Sequence, residues 1–147
     1  MTLYAESSAV LAWLLEQEHG EVVAATLAQS ALVISSDLTL IECDRVMIRA
    51  VALNQLRESD AVQRQARLNA VSARWTLLAL DEEISERARR PFPAEPVRTL
   101  DAIHVASALI ARKAVPDIGM LSLDDRVREA AARLGLPLLP ADADLSP

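Results

Sequence analysis

The sequence predicts an α/β fold, a three-layer α/β/α sandwich with a mainly parallel central sheet. Two observations lead there. Short apolar runs alternate along the chain with longer stretches whose apolar residues recur at helical spacing, and that alternation implies a parallel sheet covered on both faces. Hydrophobic residues make up 52% of the 147, which supplies the core such a sheet needs. A chain of this length buries about 68–70% of its unfolded surface and can stand as one domain without staples.

The elements follow in order. Thr2-Leu3-Tyr4-Ala5 is β-prone and Glu6 ends it. Ser7 and Ser8 are N-cap residues for a helix over 9–18. Gly20 closes that helix, and a second runs over 21–29. Ala31-Leu32-Val33-Ile34 reads as a buried strand, bounded by the cap cluster Ser35-Ser36-Asp37. Residues 38–72 form two long helices with a break near 54–59. A strand over 75–80 leads to Asp81, which caps the next helix, and Arg89-Arg90-Pro91-Phe92-Pro93 breaks it. Thr99 caps a helix over 100–113. A strand over 117–121 and a helix over 123–134 follow, with Gly135 at C′. Leu136-Pro137-Leu138-Leu139 is a last short strand. Without repeat, linker or low-complexity tract, residues 1–147 read as a single domain, with 141–147 as a loose polar tail.

Composition narrows the function. Fifteen basic residues against 21 acidic ones give a net charge of −6, which ordinarily repels nucleic acid. The objection weakens if four carboxylates hold metal, since 15 basic residues then face 21 − 4 = 17 acidic ones. Aromatic residues are 3% of the chain, too few for the stacking platforms of single-strand binders. One cysteine forms no internal disulfide, and the N-terminus carries no export signal, so the expected location is cytoplasmic. No apolar run reaches the roughly 20 residues of a membrane span.

Ligands of open α/β sheets bind beyond the carboxyl ends of the strands. Four acids fall at such positions. Glu6 ends the first strand, Glu42 lies in the first half of the helix after the second, Asp101 is in the first turn of the Thr99 helix, and Asp124 follows the strand ending near Leu121. Any one of them alone reads as a first-turn acid favoured by the helix dipole. As a group they are harder to dismiss, because Glu42 and Asp101 sit in apolar surroundings and carboxylates crowded in an apolar cleft repel unless a cation lies between them. Oxygen-only ligands select hard cations, Mg2+ or Mn2+.

At these residues the sequence resembles the PIN domain, and within it the VapC toxins of VapBC toxin–antitoxin pairs. The matching pieces are Leu3-Tyr4-Ala5-Glu6-Ser7-Ser8-Ala9, Glu42 in its helix, Leu100-Asp101-Ala102-Ile103-His104-Val105-Ala106-Ser107-Ala108, and Ser122-Leu123-Asp124-Asp125-Arg126 followed by Ala130-Ala131 and Leu134-Gly135. They cover nearly the whole chain in the family's order. One position departs: Glu6 stands where the family usually has aspartate, which keeps the carboxylate and alters its reach. The resemblance implies a metal-dependent endoribonuclease, with Glu6, Glu42, Asp101 and Asp124 as metal ligands around water that attacks an RNA phosphodiester. It also implies a homodimer and a VapB-like antitoxin partner.

The neighbours are weighed one by one. Ser7 or Ser8 orients metal-bound water or a phosphate, or only caps the helix. Ser122 holds Asp124 or is a turn residue, and Asp125 is a peripheral ligand or a solvated first-turn acid. His104 shares the face of Asp101 and donates to a metal-bound carboxylate or, the favoured reading, is a satisfied core histidine. Cys43 reads as a small buried side chain. Arg45 and Arg49, and the cluster Arg87, Arg89, Arg90 and Arg98, are phosphate contacts or solvated charges. A receiver domain would need a lysine after a late strand, and the chain's one lysine, Lys113, ends a helix. Nucleotide-binding glycine loops are absent, and one cysteine with two separated histidines makes no zinc site. The rival from another class is a PIN-like module that binds a protein partner and has lost hydrolysis.

Overall fold

The computed structural model describes residues 1–146. Five strands, β1 (Thr2–Ala5), β2 (Leu32–Ser36), β3 (Thr76–Leu78), β4 (Gly119–Leu121) and β5 (Leu138–Leu139), form one sheet in the order β3-β2-β1-β4-β5. Every neighbouring pair is parallel. The helices are α1 (Ser7–Leu14), α2 (Gly20–Gln29), α3 (Asp37–Ala52), α4 (Glu58–Ser72), α5 (Glu82–Ala88), α6 (Thr99–Ala114) and α7 (Asp125–Arg133).

Alternation along β1 divides the interior in two. Leu3 and Ala5 point into a core with Val10, Leu14, Val23, Met47 and Leu68, from α1 to α4. Tyr4, between them, points into the opposite core with Val105, Leu109, Val127 and Ala131, from α6 and α7. Side chains of period two thus put one helical layer on each face, as the apolar strands imply. Among the described residues no helix is long and apolar enough to cross a membrane.

The parallel register sets the site. Chain order runs outward from β1 through β2 to β3 on one side and through β4 to β5 on the other, so direction reverses between β1 and β4. Such a reversal leaves a crevice at the carboxyl ends of the two strands. Ala5 pairs with Leu121, and the Glu6 amide donates to the Leu121 carbonyl at 3.0 Å, so Glu6 and Ser122 emerge side by side there.

Several local expectations change. Glu6, and neither serine after it, is the N-cap of α1, accepting from the Ser8 amide. Gly20 opens α2 where the sequence reading made it the end of a helix. A Cβ on it would lie 2.4 Å from the Ala12 carbonyl oxygen, so close packing of α2 on α1 is what requires glycine. Ser35 and Ser36 belong to β2, and α6 begins at Thr99 after Arg98, with no side-chain cap. Asp81 caps α5 as expected, and Gly135 takes φ 78° after α7. The C-terminal segment includes a 3-10 turn at Asp142–Leu145, where Asp142 accepts from the buried guanidinium of Arg128 at 2.6 Å; Pro147 lies outside the described residues.

Candidate active site

Glu6 is 4% exposed, and its carboxylate is surrounded by donors. Oε1 accepts from the Ser7 hydroxyl at 2.8 Å and the Ser8 amide at 3.0 Å. Oε2 accepts from the Ser122 hydroxyl at 2.7 Å and from the Ser8 hydroxyl. The extra methylene lets glutamate at a strand end fold back over its own helix N-terminus, where amides and the dipole favour a negative charge. The Ser8 oxygen in turn accepts from the amides of Leu123 at 2.9 Å and Asp124 at 3.1 Å. Ser8 therefore ties the loop after β4 to the loop after β1.

Glu42 enters from the second turn of α3. Its Oε1 meets the Ser7 hydroxyl at 2.9 Å and His104 Nε2 at 2.5 Å. Burial pushes this carboxyl up, but the His104 and Ser7 hydrogen bonds and the charge of His104 outweigh it and hold the group below the usual carboxylate range. Ser7 has one proton for two carboxylates, so it couples Glu6 to Glu42 without satisfying both at once.

The aspartates are held differently. Asp124 is the N-cap of α7, its Oδ1 accepting from the amides of Arg126 at 2.9 Å and Val127 at 3.2 Å. Asp101 lies half-buried in the first turn of α6. Burial raises its carboxyl, the charges of Asp124 and Glu6 raise it further, and the charges of His104 and Arg98 oppose them; no hydrogen bond is among these influences. Glu6 and Asp124 stand at the β1–α1 and β4–α7 junctions, while Asp101 comes from the start of α6 after the proline-rich loop, near enough for their charges to bear on its carboxyl.

Four predicted acids thus meet at one pole of the sheet. The donor set is all carboxylate oxygen and fits a hard divalent ion. In their present rotamers, no three His, Cys, Asp or Glu side chains among the described residues are close enough together to hold one ion. Ser7, Ser8 and Ser122 belong to the cluster through Glu6, while Asp125 is an exposed first-turn residue of α7. The basic patch is smaller than the sequence suggests, because the Arg87 guanidinium stacks 4.3 Å from the Phe92 ring centroid; Arg89, Arg90 and Arg98 remain exposed. His104, expected as a core histidine with donation to a carboxylate as the alternative, is both buried and in contact with Glu42, a partner 62 residues away that the sequence did not single out for it. The one visible signal of that contact was that His104 lies one helical turn beyond Asp101.

A three-layer parallel sheet with these acids at its switch point is the architecture of the PIN domain, and the PIN domain family model matches residues 3–132. The chain belongs to the PIN domain family. It is 36% identical over 107 residues to Ribonuclease VapC35 of Mycobacterium tuberculosis, covering 72% of this chain and 70% of that one. Ribonuclease VapC46 of the same organism is 35% identical over 94 residues, covering 63% of this chain and 68% of its own. FitAcB from Neisseria gonorrhoeae shares the fold at 17% identity with a TM-score of 0.69, over 94% of this chain and 96% of its own.

Proposed function

We propose that this chain is a divalent-metal-dependent endoribonuclease, the toxin of a VapBC-type toxin–antitoxin pair. The observation that carries this reading is the gathering of acids beside the switch point, with Asp124 tied through Ser8 to Glu6 and with the Asp101 carboxyl raised by burial and by the charges of Asp124 and Glu6, which a cation would relieve. Resemblance to curated VapC ribonucleases over two thirds or more of their length supports the reaction class.

Asp101 and Asp124 would hold Mg2+ or Mn2+, joined by Glu42 and Glu6. When bound, the ion supplies an activated water and charge stabilisation for the departing oxygen of the RNA backbone. The protein's own residues bind, orient and accept protons. An ionised carboxylate at the site can take the proton of the attacking water. Ser7 keeps Glu6 and Glu42 at a fixed separation, and Ser8 holds the Asp124 backbone against Glu6. Exposed Arg89, Arg90 and Arg98 offer phosphate contacts on the approach.

One domain over 1–147 acting in the cytoplasm fits this reading. A protein partner is supported by apolar side chains left exposed on α3 and α4, Ile41, Ile48, Leu53 (just past α3) and Val62. They suit a VapB-like antitoxin or the second copy of a homodimer.

The second reading, a binding module without hydrolysis, is favoured by the donor-saturated carboxylate of Glu6. Cleavage of a labelled RNA pool by antitoxin-free protein separates the two. The nuclease requires cleavage with Mg2+ or Mn2+ that chelator and Asp101→Asn both abolish. No cleavage by the folded protein under either metal selects the module, whose partner binds equally well in chelator.

A further inference from the structure

We propose that His104 is a positioning residue that holds the Glu42 carboxylate in the site, with Tyr4 bracing the imidazole from behind. The inference rests on the nuclease reading above only for its catalytic consequence; the contact itself can be tested without it.

His104 is 1% exposed, and both ring nitrogens are engaged. Nε2 lies 2.5 Å from Glu42 Oε1 and Nδ1 lies 2.9 Å from the Tyr4 hydroxyl. The Tyr4 and His104 rings meet edge-on, with centroids 5.9 Å apart. Proton placement follows from the partners. An ionised carboxylate only accepts, so Nε2 carries a hydrogen and donates it to Glu42. With the Tyr4 hydroxyl donating to Ser36 Oγ at 3.0 Å, it can accept from Nδ1 only if that nitrogen also carries a hydrogen, as in the imidazolium. When the Ser36 hydroxyl turns and donates to Tyr4, the phenol O–H donates to a bare Nδ1 of a neutral ring, and Nε2–H still points at Glu42. The bond to Glu42 survives both arrangements.

The geometry also explains why Glu42 needs such a partner. It reaches from α3, packed on one face of the sheet, to α6 on the other, across the end of β1. Its carboxylate is partly open to solvent, with a side-chain exposure of 25%. Ser7 is its other neighbour, and Ser7 divides one proton between Glu42 and Glu6. The histidine is the buried donor that approaches this acid most closely, although its Nε2 also lies 3.2 Å from Ser7 Oγ and 4.0 Å from Glu6 Oε1. Carboxylate ligands depend on such outer partners for orientation.

A histidine that only fills the core makes a different prediction, and two substitutions tell them apart. The Gln amide nitrogen can reach the place of Nε2, while that of Asn reaches only the place of Nδ1. His104→Gln should keep most cleavage and Mn2+ binding. His104→Asn should lower kcat by about 10–100-fold with little change in KM, and weaken Mn2+ binding measured by electron paramagnetic resonance by a similar factor. Melting temperatures of the two variants should fall together, so that stability does not account for the split. Equal activity and equal Mn2+ binding in the Asn and Gln variants overturns the inference and leaves the nuclease reading intact. Independently of activity, a long-range nitrogen–proton NMR spectrum of the wild type should show a hydrogen-bonded Nε2–H that Glu42→Ala shifts upfield. No shift overturns the contact. A shift in a protein that binds no Mn2+ and cleaves nothing sinks the nuclease reading while the hold on Glu42 stands.

Discussion

The two glutamates and the two aspartates of the site occupy the same pole of the sheet under opposite conditions. Glu6 and Glu42 are joined by Ser7, and each has further donors, four in all for Glu6 and His104 for Glu42. Asp101 has the repulsion of Asp124 and Glu6 around it and no hydrogen bond to offset it, while Asp124 spends one oxygen on capping α7. Side-chain length accounts for much of the contrast. Glutamate reaches far enough to find hydroxyls and an imidazole on other elements, whereas aspartate in a first turn finds only its own helix. The glutamates consequently support the fold as well as the site. Asp101 is costly to the bare protein, while Asp124 supports its own helix.

Substitutions in each pair test the contrast. The largest expected effect is on Asp101→Asn, which should lower metal-dependent cleavage by at least about 100-fold, as loss of one charge-stabilising group does. Its stability should not fall. A raised carboxyl binds its proton more tightly in the folded than in the unfolded chain, so ionisation costs stability as pH rises through its titration range. The variant should therefore melt at or above the wild type at neutral pH, with the difference vanishing in acid. A destabilised Asp101→Asn would contradict the picture of an unsupported, repelled acid.

Metal comes next. At about 100 times its Kd, Mg2+ or Mn2+ should stabilise the wild type by about 2.7 kcal/mol, read as a rise in Tm, and the rise should disappear in Asp101→Asn. The glutamate side is tested by Glu6→Ala. Removing an acceptor shared by four buried or part-buried donors should cost about 1–3 kcal/mol, or about 2–4 °C in Tm per kcal/mol. No loss of Tm would mean that the serine cage contributes nothing to the fold. Asp124→Asn should show the smallest change in stability, no more than about 1 kcal/mol, because asparagine caps helices nearly as well as aspartate and only the favourable charge at the helix end is lost. Its cleavage should nevertheless collapse with that of Asp101→Asn.

The sequence carried the architecture further than the site. Alternating apolar runs and helical spacing predicted five strands, and the apolar strands predicted burial on both faces; each strand appears in the sheet, β1 with the expected bounds, β2 starting one residue later and running two further, and the other three shortened. Capping was legible at Asp81 and Gly135, where a local rule settles the matter within four residues. It was not legible at Ser7, Ser8 and Thr99. The favoured cap residue type is present at each, but the strand end or the helix start falls one residue earlier, and Glu6 outreaches its neighbours for the Ser8 amide.

Strand and helix periodicity are local properties and the carboxyl ends of parallel strands share one pole, so acids near the strand ends were legible before any contact was known. Only the tertiary structure decided what each acid touches. Ser122 meets Glu6 across 116 residues, and His104 meets Glu42 across 62. The reversal of strand order between β1 and β4 creates the first meeting, and the packing of α3 and α6 across the end of β1 creates the second. Local periodicity contains neither, because both depend on which strands become neighbours.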